Sequence, residues 1–325
     1  MRDPIHFRGP NAGRNSRAFG RRFSAVAGWA LLLAWPGSVV RADTAKVLVP
    51  VTMKAGFMTS AFLQSNRNDV EAGLKVLAES IGLERGYQVT VKTRSFHDVA
   101  AFHAAIKAGE VNVAVYDSLT FVAGPHPGDL TPAFIPVRKG AFGRRYLVLV
   151  RRDRPLHNLD DLRGKSMVEL QAPDLSVGHT WLLSLLLAKG AGTHEEFFRS
   201  IEYVDRPTAA VLPVFFGSKD ACLVDDFAFN LMVELNPQVG ARLQPVAVSA
   251  PLVGAVVCVS ESDWAVPEFR PAFIKALGEL HLMPAGRQVL NLFKMDQLVP
   301  FRDAELDTAR ELWSAYTNLR QEVRP

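Results

Sequence analysis

The stretch VELQAPDLSVGHTW (168–181) places small and polar side chains between an apolar run and a leucine-rich helix. The beginning of a helix offers backbone N–H groups without acceptors and the positive end of the helix dipole, which suits an anion. Ser176 and Thr180 could add hydroxyl donors, and Gly178 could let a ligand approach the backbone. Asp174 would repel an anion unless it faces solvent or an amine on the ligand. The ligand contacts predicted along this stretch are Ser176, Val177, Gly178, His179 and Thr180.

Polar residues also follow other predicted strands, at 52–56, 116–118, 205–208 and 225–226. Each group alone is more typical of a helix cap than of a ligand contact. Together they indicate a site, because these loops fall on the same edge of their sheets, where ligands bind. Arg206 could pair with an oxyanion in bidentate fashion. The further contacts predicted from these loops are Tyr116, Asp117, Ser118, Arg206 and Asp226.

The same residues do not predict catalysis. The stretch DLSVG lacks the first glycine of GxSxG, and Ser176 and His179 lie three apart on one helix, which is poor geometry for a nucleophile and its base. Asp225 and Asp226 are adjacent at a strand end, so their side chains point to opposite sides. No GxxxxGK phosphate loop is present. The sequence therefore predicts a holding site, no catalytic residue and no enzyme.

Metal and cofactor sites are not predicted either. His97 and His103 are six apart on a predicted helix, on different faces, whereas zinc-type pairs are spaced i, i+4. Cys222 and Cys258 each lie in an apolar run that is typical of a buried strand. They are predicted to be buried free thiols, although an oxidising compartment would permit a disulfide.

The order of elements predicts an α/β protein with two lobes. Strands alternate with helices before about residue 152, and the alternation restarts after it. Such alternation indicates mostly parallel sheets flanked by helices. The last helices are expected to return to the first lobe, with the ligand cleft between the lobes. The predicted divisions are a signal peptide at 1–42, lobe 1 at 43–153, an inserted lobe 2 at 154–246, and a return to lobe 1 at 247–325.

The net positive charge of the 325-residue chain comes from residues 1–42. Residues 1–42 hold seven arginines and one acid, and without them 30 basic and 32 acidic residues remain. A nucleic-acid partner is therefore not expected. Arg21 and Arg22 precede the apolar stretch FSAVAGWALLLAWPGSVV, and Val40-Arg41-Ala42 fits a signal-peptidase site. Export by the Sec or the twin-arginine route and an uncleaved anchor all stay open, and a mature protein outside the cytoplasm is expected.

Three longer stretches carry a family resemblance: VNVAVYDSLTFV (111–122), LVLVRRDRPLHNLDDLRGKSM (147–167) and PTAAVLPVFFGSKDACLVDD (207–226). They resemble periplasmic substrate-binding proteins of ABC transporters, of the phosphate, phosphite and phosphonate type. The resemblance implies the type II periplasmic binding fold, whose two lobes close on a ligand. Tyr116 matches the family's strand-loop aromatic, Asp225 or Asp226 its terminal acid. Where the family has an S-T-S-G anion loop, this chain has DLSVG, and Arg206 stands where a histidine often opens the next helix.

Two functions remain open at this point. The resemblance implies a monomeric protein, without a cofactor, that captures a small anionic solute such as a phosphate or phosphonate in the periplasm and delivers it to an ABC transporter permease. The alternative is a sensing or interaction module of the same fold that partners a membrane sensor kinase. The sequence does not name the solute.

Overall fold

The computed structural model of the protein describes residues 47–58, 67–170 and 176–322. Three parts of the sequence-based interpretation lie outside these residues: the signal peptide predicted at 1–42, the first turns of the helix predicted from about Ala61, and Asp174. Among the described helices, none is long and apolar enough to cross a membrane.

A six-stranded sheet forms the core of lobe 1 and has the order β11-β4-β10-β3-β1-β2. Strand β1 pairs in parallel with β2 and β3, while β10 pairs antiparallel with both β3 and β4. The carboxyl end of β3 therefore lies beside the start of β10, where Asp117 pairs with Ala255. The strands are β1 (Val49–Met58), β2 (Tyr87–Phe96), β3 (Val113–Asp117), β4 (Leu130–Val137), β10 (Ala255–Ser260) and β11 (Gln297–Pro300).

A five-stranded sheet forms the core of lobe 2 and has the order β7-β6-β8-β5-β9. Strand β6 pairs in parallel with β7 and β8, and β5 pairs antiparallel with β8 and β9. The start of β5 thus lies beside the end of β8, where Tyr146 pairs with Asp225. The strands are β5 (Tyr146–Arg151), β6 (Ser166–Leu170), β7 (Ser200–Val204), β8 (Ala221–Asp225) and β9 (Leu243–Val248).

Helices flank both sheets, as predicted, and the protein has two mostly parallel sheets in an α/β arrangement. Several helices begin at a side chain that accepts an N–H hydrogen bond, as Asp117, Ser176 and Asp225 do. The helices are α1 (Arg67–Arg85), α2 (Val99–Lys107), α3 (Ser118–Ala123), α4 (Val177–Ala188), α5 (His194–Phe197), α6 (Pro207–Phe216), α7 (Asp226–Leu235), α8 (Pro237–Arg242), α9 (Phe269–Gly278), α10 (Pro284–Leu292) and α11 (Asp307–Glu322).

The two faces of the first sheet bury different side chains, because successive residues of a strand point to opposite faces. On β3, Val113 and Val115 pack with Phe269 and Phe273 of α9. The alternate residues Ala114 and Tyr116 pack on the opposite face, with α2. This alternation of side-chain direction decides which residues of β3 can reach a ligand.

Two predicted assignments are wrong in detail. Residues 52–56, expected to form a loop, lie inside β1. Strand β5, expected to close the first part of lobe 1 at 43–153, belongs to the second sheet, and so does the whole of β9. The reason is that β5 runs antiparallel to its neighbours and needs no crossover helix, so the alternation of strands and helices could not assign it to a sheet.

The chain crosses between the sheets at 138–145, before the division predicted at 153/154, and again at 249–254, close to the division predicted at 246/247. These crossing segments pair with each other: the Arg144 amide donates to the Leu252 carbonyl at 3.0 Å, and the Leu252 amide donates to the Arg144 carbonyl at 2.9 Å. At Gly143 a Cβ atom would stand 2.9 Å from the Leu252 backbone, so the close approach of the two crossing segments requires glycine.

The C-terminal helix connects the lobes. Helices α9 and α10 pack on the first sheet, as predicted for the final helices. Helix α11 instead contacts α3 of lobe 1 and α4 of lobe 2. Its Ala309 lies in one buried cluster with Leu119 of α3 and Trp181 of α4.

Candidate functional site

A cavity of about 180 Å³ opens where the sheets and the crossing segments meet. Lobe 1 contributes Asp117 at the end of β3, and lobe 2 contributes Tyr146 and Ser176. The crossing segment 138–145 contributes Arg138 and Arg144. The cavity is therefore built from the predicted edge of both sheets, together with residues that connect them.

The two arginines of the cavity differ in how their charges are compensated. The Arg144 guanidinium donates to Asp225 Oδ2 at 3.2 Å, and although burial lowers its pKa, the charge of Asp225 gives a net rise. The Arg138 guanidinium lies 4.5 Å from the ring centroid of Phe227. Among the described residues, no hydrogen bond or ion pair joins Arg138's side chain to a carboxylate. Burial, and then the charge of Arg144, lower the Arg138 pKa.

Helix α4 points its beginning at the same cavity, which Ser176 and Val177 line. The Ser176 hydroxyl accepts a hydrogen bond from the His179 amide at 3.3 Å. The first amides of a helix have no acceptor within it, so those of Val177 and Gly178 can donate to a ligand. An anion in the cavity would meet these donors together with the Arg138 guanidinium.

Gly178 serves the packing of lobe 2 rather than the approach of a ligand. A Cβ atom at this position would stand 2.5 Å from Cδ1 of the Tyr146 ring. Tyr146 is buried and lies at the start of β5, where burial raises its pKa. The absence of a side chain at Gly178 is therefore what allows Tyr146 to sit against the start of α4.

Replacing Gly178 with alanine is expected to destabilise the protein by about 1–3 kcal/mol, because the new methyl group overpacks the Tyr146 ring. Urea denaturation measures the change. Gly278→Ala is the matched control: it adds the same atom to a helix, but at an ordinary distance of 3.5 Å from Phe134, so it should be neutral or slightly stabilising. Equal stability of the two variants would show that Tyr146 does not require the glycine.

Two carboxylates at the strand ends act as helix caps. Asp117 accepts from the Thr120 amide at 2.8 Å and from its hydroxyl at 2.6 Å. Asp225 accepts from the Ala228 amide at 2.8 Å. Asp226 differs, since its buried Oδ1 has no hydrogen-bond partner among the described residues. Burial, and then the nearby Asp225 charge, raise the Asp226 pKa.

The structure separates the predicted contacts into two groups. Asp117, Ser176 and Val177 line the cavity. Tyr116 does not, because it points to the other face of the first sheet, where it is fully buried and its hydroxyl has no partner among the described residues. The other predicted contacts that do not line the cavity are Ser118, Gly178, His179, Thr180, Arg206 and Asp226.

Burial or exposure explains why most residues of this second group do not line the cavity. Ser118 and Thr180 are buried inside α3 and α4. His179 turns to the carboxylate of Glu169, with Nδ1 at 2.8 Å from Oε2. Burial opposes the ionisation of Glu169, but its hydrogen bond with His179 and its close contact with His194 hold its pKa below the usual value. The side chain of Arg206 is 79% exposed and pairs with Asp205 at 3.9 Å.

The residues that sequence reasoning missed lie in the crossing segment and opposite it. Arg138 and Arg144 flank a turn that includes Lys139 and Gly140, both with positive φ. Phe227 contacts both guanidinium groups, at 4.5 and 6.0 Å from its ring centroid. The signal in the sequence is two arginines around a glycine-rich turn between two strands, RKGAFGR (138–144).

Apart from Lys294, the side chains in the rest of the cavity wall are apolar. It extends from the cleft along the face of the first sheet that β1 and β3 present, past Phe57 and Val115. Helices α1, α9 and α10 cover this part, with Leu74, Phe273 and Leu290. The cavity thus joins a charged end to an apolar arm.

A family model described as "ABC transporter, phosphonate, periplasmic substrate-binding protein" matches residues 59–306. The chain belongs to this family. Its members are periplasmic substrate-binding proteins, which are not a class of enzymes. No curated protein matches the chain significantly.

Solved structures with the same fold include proteins of phosphonate transport. A binding protein component of an ABC phosphonate transporter from Pseudomonas aeruginosa has a TM-score of 0.61 at 14% identity, covering 84% of this chain and 88% of its own. PhnD1 from Prochlorococcus marinus, in complex with methylphosphonate, has a TM-score of 0.58 at 14% identity, covering 82% and 98%. A Xanthomonas citri protein bound to ATP has a TM-score of 0.62 at 18% identity, covering 84% and 99%. At these identities the likeness shows the type II periplasmic binding fold.

Proposed function

We propose that this periplasmic binding protein captures a small anionic solute, of the phosphate or phosphonate kind, in the cavity between its lobes. The observation that supports this most directly is the Arg138 guanidinium, which lies in the cavity wall without a hydrogen-bonded carboxylate among the described residues. A half-buried cation is costly unless it is paired. An oxyanion that accepts two N–H bonds from the guanidinium would supply the missing partner.

The start of α4 supports the same proposal. Its first amides and the dipole of a 12-residue helix favour negative charge at Ser176 and Val177. The S-T-S-G loop of the family is replaced here by DLSVG, so two hydroxyl donors are lost. Arg138 and Arg144 would compensate for them, which would give this protein an anion site with more guanidinium and fewer hydroxyl donors.

The apolar arm of the cavity favours a solute with an apolar substituent. A phosphonate head at the arginines would direct its carbon substituent away from the charged end, along the face lined by Phe57 and Val115. A dry cavity of roughly 150 Å³ can hold a molecule of the size of benzene. Alkyl- or arylphosphonates and monoesters of phosphate are therefore the proposed class, and methylphosphonate would fill only the charged end.

The proposed partner is the permease of an ABC transporter in the inner membrane. The protein would reach it after export directed by residues 1–42 and would act there as a monomer, without a cofactor and without nucleic acid. The family assignment supports delivery to a transporter. The order of events would be capture in the cleft, closure of the lobes about segments 138–145 and 249–254, and release at the permease.

Titration calorimetry on the purified protein tests the proposal with phosphate, methyl-, propyl- and phenylphosphonate, and with propylamine as the cationic match for the propyl compound. Each buried methylene is worth about 0.8 kcal/mol, so propylphosphonate is expected to bind roughly ten- to twentyfold more tightly than methylphosphonate. Binding of propylamine but of no phosphonate would contradict an anion site. Equal affinity along the alkyl series would contradict the binding of the substituent in the apolar arm, but not the anion site.

A further inference from the structure

Three side chains with metal-binding chemistry meet inside lobe 2, away from the cavity. Glu169 lies on β6, His179 on α4 and His194 on α5. His179 Nδ1 is 2.8 Å from Glu169 Oε2, and His194 Nδ1 is 3.0 Å from Glu169 Oε1. The two imidazole rings are 4.1 Å apart between centroids. One donor atom from each residue lies within 4.8 Å of the others.

The hydrogen bonds of this cluster are incomplete. His194 is 1% exposed, yet neither its Nδ1 nor its Nε2 has a partner in hydrogen-bond geometry among the described residues. Glu169 Oε1 also lacks one, although His194 Nδ1 faces it. Buried polar atoms are nearly always hydrogen-bonded, so the unpartnered His194 Nε2 and a His194 Nδ1–Glu169 Oε1 contact outside hydrogen-bond geometry are consistent with a further ligand in this cluster.

We propose that Glu169, His179 and His194 bind a zinc ion. Two imidazoles and one carboxylate are a known zinc donor set, in which the ion lies about 2.0–2.2 Å from each ligand atom. Tetrahedral zinc places its ligand atoms about 3.4 Å apart, so the observed contacts of 2.8 and 3.0 Å, each to a different oxygen of Glu169, would widen by about half an ångström when the ion binds. Magnesium and calcium prefer all-oxygen sites and do not fit two imidazoles.

Access to the site is through His179. Its side chain is 13% exposed, whereas those of Glu169 and His194 are 1% exposed. A zinc ion with three protein ligands keeps a fourth position for water. Tyr203, which pairs with Glu169 across the two strands and lies 6.3 Å from His179 between ring centroids, borders this side.

The site would also hold the beginning of α4 in place. His179 is the third residue of α4, and its amide is capped by Ser176, which lines the cavity. A metal bond from His179 to Glu169 on β6 and His194 on α5 would fix this helix end to the second sheet. The metal site stands on its own geometry and does not depend on which solute occupies the cavity.

Zinc titration of the purified, chelator-treated protein tests the inference. Wild type is expected to bind one zinc ion per chain by calorimetry and to unfold at a higher temperature with zinc present, since a ligand of the folded state stabilises it. Cobalt should give the visible absorption of a tetrahedral ion, and magnesium should change neither property. His179→Ala and Glu169→Gln should each weaken zinc binding more than the roughly 10–100-fold that loss of an outer partner costs.

His157→Ala is the matched control, because His157 is an exposed histidine outside the cluster, and it should bind zinc as wild type does. His179→Ala decides the matter if Glu169→Gln fails to fold, since His179 is the most exposed of the three. Absence of zinc binding by wild type would overturn the inference, and so would equal zinc affinity of His179→Ala and His157→Ala. If wild type binds zinc but none of the phosphonates, the result would count against the proposed function and not against the zinc site.

Discussion

Replacing Arg138 with alanine is expected to weaken binding of the tightest phosphonate by roughly ten- to a hundredfold. A hydrogen bond to a charged group is worth about 1.5–3 kcal/mol, and no carboxylate among the described residues is hydrogen-bonded to the Arg138 guanidinium, although the charges of Asp225, Asp296 and Asp226 act on it. Stability should change little, because the contact that is lost within the protein is with the Phe227 ring, worth about 0.5–1 kcal/mol. Titration calorimetry gives the affinity and urea denaturation the stability.

Arg206→Ala is the control for this experiment, since it removes the same side chain from an exposed position outside the cavity. It should bind the phosphonate as wild type does. Arg138→Lys should give an intermediate affinity, because lysine keeps the charge but cannot offer two parallel N–H bonds. If Arg206→Ala weakens binding and Arg138→Ala does not, the anion lies at the strand end predicted from sequence and the cavity assignment is wrong.

Most of the fold could be predicted from the sequence because its signals are local. The apolar residues of β2 alternate with a period of two, Gly109 follows the end of α2, and Pro207 stands at the start of α6. Sheet membership is not local. Strand β5 is a six-residue strand with five apolar residues that fits either lobe, and its antiparallel pairing with β8 is decided by contacts over about 75 residues of chain.

The candidate site was harder to predict because it depends on side-chain direction. Asp117 and Tyr116 are neighbours at one strand end, but successive side chains of a strand point to opposite faces, so the aspartate lines the cavity and the tyrosine does not. Arg144 lies in a connection, so no strand-end rule selects it, and Arg138 follows β4, a strand whose end was not among those selected from the sequence. The same limit hides the cluster of Glu169, His179 and His194, whose members come from three elements. The expectation of no metal rested on the spacing of histidines along one helix.

Asp225 affects both the stability of lobe 2 and the charge of the cavity. Its carboxylate is 1% exposed, and it accepts from both the Arg144 guanidinium and the Ala228 amide at the start of α7. The side chain of Arg144 is 27% exposed, so it is mostly withdrawn from water. Removing the carboxylate would leave this guanidinium without its partner in the cavity wall.

Asp225→Ala is therefore expected to destabilise the protein by about 3–4 kcal/mol. Breaking a buried ion pair on one side costs about 3–5 kcal/mol, and the partial exposure of Arg144 places this pair at or below the lower limit. Loss of the helix cap adds about 1 kcal/mol. Asp225→Asn separates the two contributions, because asparagine caps a helix as well as aspartate does, and it should be about 1 kcal/mol more stable than the alanine variant.

Urea denaturation measures these changes, and Asp205→Ala serves as the control. Asp205 is also an aspartate beside an arginine, but its side chain is 87% exposed and its pair with Arg206 is long, at 3.9 Å. An exposed pair of this kind contributes at most about 0.5 kcal/mol. If Asp225→Asn is as stable as wild type, Arg144 does not need the carboxylate. The ion pair would then position the guanidinium in the cavity wall without stabilising the fold.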